Sequence, residues 1–197
     1  FEPVLTFNTI HEVVDYRIAG VLIILTVTAG FTGKGFISLY FHISRLFHRE
    51  AAQSPLGMTI RAVTGMSLAF WAVYLINPNL IGTSDRVFSA LFSGESEIFY
   101  GNISPGVPMV LVFVILIVLK AFANTLTVGS GMSAGFAGPA MLMGMLLGAV
   151  FAEIFGIPPG TSEYYALMAA GFAGVVSSTM NPPIAPGVLI WLYPSED

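Results

Sequence analysis

Residues 119–156 read LKAFANTLTVGSGMSAGFAGPAMLMGMLLGAVFAEIFG. An apolar helical run leads into a loop with glycines at 129, 131, 135 and 138, and a second apolar helix begins at Pro139. Glycine lets a backbone turn tightly and lets a ligand approach with no Cβ in the way. Proline suits the first turn of a helix, where its missing N–H costs nothing. The free N–H groups at such a start carry partial positive charge and favour an anion. In a low dielectric such a helix start can hold a small anion without burying a full Lys or Arg charge, and an ion held by partial charges leaves more readily than one held by a full charge. Taken alone, the same glycines would also serve close helix packing.

Residues 129–134 also match G-x-G-x-x-A, with Glu153 further on. A dinucleotide fold would need a short strand before the glycines. Here a long apolar helix precedes them, so that match is set aside.

Composition places this stretch in a membrane. Of 197 residues, 55% are apolar and 9% charged, against about 25% charged in a soluble domain. Mean hydropathy is +0.83. Seven basic and 11 acidic side chains cannot cover a soluble surface of this size. A net charge of −4 with no basic face excludes a nucleic-acid binder. The absence of cysteine excludes disulfides and thiolate chemistry. The first residues, FEPVLTFNTI, lack a basic n-region and carry Glu2, so they do not read as a signal peptide. They read as a cut inside a longer protein.

A bilayer core needs about 20 apolar residues per helix. Long spans are expected at 18–47, 59–76 and 109–127. The first is overlong and should tilt or project into water. Lys34 within it should face protein or snorkel. Between the second and third lies a polar stretch with an amphipathic piece, DRVFSALFS, that puts Val87, Phe88, Leu91 and Phe92 on one face. Three later pieces, at 139–155, 166–176 and 184–193, are too short to span. They predict broken, partly inserted helices meeting at polar breaks, a transporter device. Arg45, Arg49 and Arg61 against Glu95 and Glu97 place the first loop inside and the second outside.

The glycine stretch resembles the CLC chloride channel and transporter family, whose second half carries LK-x-x-x-T-x-L-T-x-GSG-x-x-GG-x-F-x-P-x-L-x-x-G-x-x-x-G. Lys120, Thr127, Gly129, Ser130, Gly131, Gly135, Pro139, Gly144 and Gly148 match. AVTGMSLAFWAVYLINPNLIGTS and AGFAGVVSSTMNPPIAPGVLIWLY resemble two further family segments, in the family's order. The resemblance implies an all-α membrane protein of inverted-repeat architecture, with tilted, broken and partly inserted helices. Residues 1–197 would be about half of the full domain, its C-terminal half, with no soluble domain.

The resemblance further implies transport of chloride or a similar small anion rather than enzymatic catalysis. The anion would be held by backbone amides at Phe136 and Ala137, beside Gly135 and Gly138, with Gly129, Ser130, Gly131 and Pro139 in support. Ala134 and Ala137 replace the family's usual Gly and Phe, and Leu192 stands where an acidic residue is usual. These departures alter pore width and spare the amides. Expected partners are membrane lipid, the missing half of the domain and a second copy in a homodimer. The expected location is a plasma (inner) membrane. No cofactor is expected beyond chloride as ligand. Two other readings stand beside this one: a transport-inactive scaffold that keeps the fold, and a carrier of fluoride or another anion.

Other residues have plainer readings. Small residues at 140/144/148/152 and 166/170/174/178 place each set on one helix face for close packing. Lys120 is expected to snorkel to the inner interface or cap a carbonyl, with anion attraction as the alternative. Glu153 is expected at an interface. His11, His42 and His48 lack metal-ligand spacing. Met141, Met143 and Met145 read as core or lipid-facing. Asn102-Ile103-Ser104 matches a glycosylation acceptor but is followed by Pro105, and reads as chance.

Overall fold

The computed structural model describes residues 16–47 and 54–180. Local sequence explains where its helices begin and end. Helix α1 spans Tyr16–Phe47, 32 residues, or about 48 Å. Its threonines satisfy their hydroxyls within the helix: Thr26, Thr28 and Thr32 each donate to the carbonyl four residues back, at 2.7–2.9 Å. Leu25, Ala29, Phe36 and Ile43 form its buried stripe, at the spacing of one helical face. Lys34 is exposed. Among the described residues nothing covers it, in keeping with snorkelling as its way to water.

Helix α2 runs Pro55–Ile76, a turn earlier than the expected 59–76. Ser54 accepts a hydrogen bond from the Gly57 amide at 3.0 Å, and Pro55 fills the first helical position. Asn77 and Pro78 end the helix in a single 3-10 turn, Pro78–Leu80. Fully buried Asn77 then binds the polar stretch to it. Its side-chain amide donates to the carbonyls of Ile98 (3.1 Å) and Phe99 (2.8 Å). The Asn102 side chain donates to the carbonyls of Tyr74 and Leu75, in the last turn of α2. That amide has a structural task at the end of α2.

Two short helices follow, α3 (Asp85–Ser93) and α4 (Ser96–Tyr100). Val87, Ala90 and Leu91 form the buried face of α3, while Phe92 is exposed and stacks on Tyr165 at 5.9 Å. The expected face is thus rotated, with Ala90 in the place given to Phe92. Helix α5 spans Met109–Gly129, α6 spans Ala137–Ile154 and α7 spans Ser162–Met180.

Helix α6 sits against α7, α5 and α1. Leu142, Met143 and Leu146 are fully buried on it, and so are Ala140, Gly144, Gly148 and Ala152 of the small-residue stripe. In lipid no hydrophobic drive favours helix association, so close van der Waals contact has to supply it. Gly144 meets Gly171 and Phe172, and Gly148 meets Leu167 and Met168, so α6 and α7 run antiparallel with their backbones touching. The second stripe turns the other way. Gly174 meets Ala29, and the Ser178 hydroxyl lies on Gly33 and reaches the Ala29 carbonyl at 3.4 Å. It packs α7 along α1.

Two length expectations are corrected. Helix α6 begins at Ala137 and has 18 residues, enough with its composition to count among the helices able to cross a membrane. Helix α7 has 19 residues rather than the 11 of 166–176. It starts earlier because Thr161 accepts from the Tyr164 amide (3.3 Å). Ser178 and Thr179 do not break it, because both hydroxyls donate to the Val175 carbonyl at 2.9 Å. The piece at 184–193, the break at 181–183, Arg49, His11 and His48 lie outside the described residues.

Arg45 is exposed in the last turn of α1, and Glu95 is exposed between α3 and α4, beyond the far end of α2. In a background free of other cysteines, single cysteines at 45 and 95 should react with an impermeant reagent from opposite sides of the membrane. Labelling of both from one side would mean that α2 does not cross.

Candidate functional site

The site is the connection between α5 and α6. At its first residue, Gly129, a Cβ would stand 3.0 Å from the Ile43 side chain and 3.3 Å from the Ser44 amide nitrogen. The missing side chain therefore lets α5 close on the end of α1. Ser130 is fully buried, and its hydroxyl donates to the Thr127 carbonyl at 2.8 Å. Gly131 takes φ +97, a conformation that side chains resist. Its amide donates back to Val128 at 3.0 Å and the Met132 amide to Thr127 at 3.3 Å. Helix α5 thus ends on satisfied carbonyls, and the chain is turned toward α6.

Phe136 caps α6 and Ala137 is its first helical residue. Pro139 falls in the first turn, where the helix has no use for its N–H. The Phe136 ring packs edge-on against Phe36 (5.6 Å) and Tyr40 (4.9 Å), two successive turns of α1. This fixes the start of α6 roughly 10–16 Å short of the α1 terminus, at 1.5 Å per residue. The first internal bond of α6 is from the Ala140 amide to the Phe136 carbonyl, at 3.1 Å. Among the described residues, the amides of Gly135, Phe136, Ala137 and Gly138 make no hydrogen bond. At Gly135 and Gly138 a Cβ would meet nothing within 4 Å. Those two glycines are not required by packing against described residues, in contrast to Gly129 and Gly131. Together the four residues present a row of free donors at the positive end of an 18-residue helix.

The eight residues singled out from sequence therefore divide. Gly129, Ser130 and Gly131 build the turn, Pro139 lies in the first turn of α6, and residues 135–138 carry the open amides. Sequence reading missed Arg61. Its Nε donates to the Ser130 carbonyl at 2.8 Å, across a sequence separation of 69 residues. It lies on α2 rather than in a loop. Gly65, one turn further on, meets Ser130 as well and lets α2 approach. A signal was present: Arg61 and Gly65 share one helix face, and a small residue marks where another chain comes close.

Lys120 belongs elsewhere. It is 6% exposed, and its ammonium donates to the carbonyls of Leu80 (3.1 Å) and Gly82 (2.7 Å) and to the Ser84 hydroxyl (2.7 Å). These groups follow the end of α2 opposite to Arg61, so the lysine does not snorkel toward the arginine-rich end. It caps carbonyls, and all three of its donors are engaged. Ser84 in turn donates to Leu80 at 2.8 Å and holds φ +63. Lys120→Met should lower stability by about 3 kcal/mol, because buried acceptors lose charged partners. The measurement is thermal unfolding in detergent. An unchanged midpoint would show that water replaces the ammonium. Glu153 is exposed in the last turn of α6. Met143 is fully buried, whereas Met141 is exposed. No metal-binding cluster occurs among the described residues.

A family model described as "Voltage gated chloride channel" matches residues 1–192. The match spans nearly the whole chain, and the protein belongs to that family. No curated protein matches the sequence. With four helices long and apolar enough to cross a bilayer among the described residues, the chain is an all-α integral membrane protein of the chloride channel and transporter class.

Proposed function

We propose that this member of the voltage gated chloride channel family carries chloride, or an anion of similar size, across the membrane and holds it on the backbone N–H groups of Phe136 and Ala137. Gly135 and Gly138 stand beside them and give the ion access. One observation carries this reading: four consecutive amides without an acceptor among the described residues, at the start of a long apolar helix, with open space at both glycines. Partial charges on fixed amides suit a permeant ion, since they replace part of its hydration without trapping it. Gly129, Ser130, Gly131 and Pro139 act through the geometry of the turn.

We read residues 1–197 as the second half of a two-half membrane domain that pairs as a homodimer in a plasma (inner) membrane, with chloride as ligand and no cofactor. The order of the three resembling segments supports the half-domain reading. Reconstituted in vesicles, the full-length protein should release chloride and retain sulfate. Absence of flux and of stabilisation by every halide would overturn the reading and leave the family match as a statement about fold.

A further inference from the structure

Arg61 is the only charged residue of α2 and lies nearly two turns inside it. Its side chain is half-buried, with Nε held by the Ser130 carbonyl at 2.8 Å. The Nη2 end of the guanidinium lies nearest Gly131: a Cβ there would stand 2.7 Å from Nη2, 3.5 Å from Cζ and 3.7 Å from Nε. Gly131 is itself exposed, so no described residue covers this face of the loop. Among the described residues the two terminal nitrogens make no hydrogen bond, and no carboxylate pairs with the group. A guanidinium carried into a membrane helix and only half hydrated is costly without a counter-charge. Its position is nevertheless fixed, because one of its five donors is tied to the backbone.

We propose that Arg61 is an anion-binding side chain on the loop that leads to α6, its terminal N–H groups taking a small monovalent anion such as chloride. The proposal rests on the functional reading above and adds a second binding point to it. Two sites in series, one on a fixed guanidinium and one on amides, let an ion enter favourably and still move on. The Nε bond to Ser130 gives the same residue a positioning role, because it holds the turn at Gly131.

The test is chloride flux through the full-length protein in vesicles, measured over a range of chloride concentrations. Arg61→Gln should raise the half-saturating chloride concentration about tenfold, equivalent to 1.4 kcal/mol of lost binding. Its maximal rate should fall much less. Arg61→Lys keeps the charge and should recover most of the affinity, although it cannot reproduce the Nε bond. A merely structural arginine gives another pattern: both variants lose thermal stability and maximal rate, and half-saturation does not move. That result overturns the proposal.

A second measurement needs no variant. A dicarbonyl reagent specific for arginine is applied to the unaltered protein in chloride or in gluconate, and modified positions are mapped by mass spectrometry. Chloride should slow modification of Arg61 and leave exposed Arg45 unchanged. Equal rates at Arg61 in both salts overturn the proposal. Absence of halide flux in the unaltered protein overturns the functional reading, and this inference falls with it. Flux with an unshifted Arg61→Gln overturns this inference alone.

Discussion

Gly144→Leu should prevent recovery of folded protein from detergent. A Cβ at 144 would stand 2.5 Å from the Gly171 carbonyl oxygen and 2.6 Å from the Phe172 Cα. Both are backbone atoms and cannot rotate aside. The opposing glycine is equally constrained, since a Cβ at 171 would lie 3.1 Å from the Gly148 nitrogen and closer still to the Gly144 carbonyl. Any side chain at 144 must therefore push α7 away from α6. Overpacking of a well-filled core costs about 1–3 kcal/mol. Here separation would also remove the contacts along both helices, the main source of association in lipid. Gly144→Ala should already lower the unfolding midpoint clearly. Met143→Leu is the control: Met143 is fully buried on the same helix, and a volume-conserving exchange costs under about 1.5 kcal/mol. Size-exclusion profiles and thermal midpoints in detergent decide the matter. If Gly144→Leu remains monodisperse with an unshifted midpoint, α6 and α7 do not meet as described.

The small-residue stripe was legible because its cause is local: four residues one turn apart on one helix have to share a face. The partner was not. Nothing in 166/170/174/178 distinguishes α1 from α6 as the opposing surface, and the structure gives that stripe to α1 through Ala29 and Gly33. The glycine loop was legible as a turn. The division between Gly129 and Gly131, which packing and φ demand, and Gly135 and Gly138, which stand open, depends on neighbours far away in sequence. Arg61 shows the same limit. Read by charge alone it is a cytoplasmic marker, and its bond to Ser130 exists only because α2 and α5 run antiparallel. Lys120 was half legible. A buried lysine has to cap acceptors, but only the fold of the turn at 80–84 identifies them. Helices α2 and α7 begin earlier than their apolar patterns, at the capping residues Ser54 and Thr161. A cap is polar and lies outside the apolar run, so hydropathy alone places the helix start too late.

Ala137→Pro should abolish chloride binding, while Ala137→Phe should keep it. Ala137 is the first residue of α6, and its amide has no acceptor among the described residues. Removing it from the helix therefore breaks no internal bond, and proline is well tolerated at a first helical position. The anion loses one donor, and a hydrogen bond to a charged group is worth about 1.5–3 kcal/mol, roughly tenfold to more than a hundredfold in affinity. A second effect acts in the same direction. Phe136 sits at φ −85 and ψ −26, a region that a following proline disfavours, so its own amide should turn away from the site. Ala137→Gly separates these contributions, since it keeps both amides and only loosens the backbone. Ala137→Phe adds a ring beside the half-buried Phe136 without touching an N–H, and should change selectivity among halides more than binding as such. The readout is the chloride-dependent rise in unfolding midpoint, which grows with ligand concentration relative to Kd, with sulfate as control. Equal chloride stabilisation of the proline variant and the parent would mean that the anion is not held by these amides.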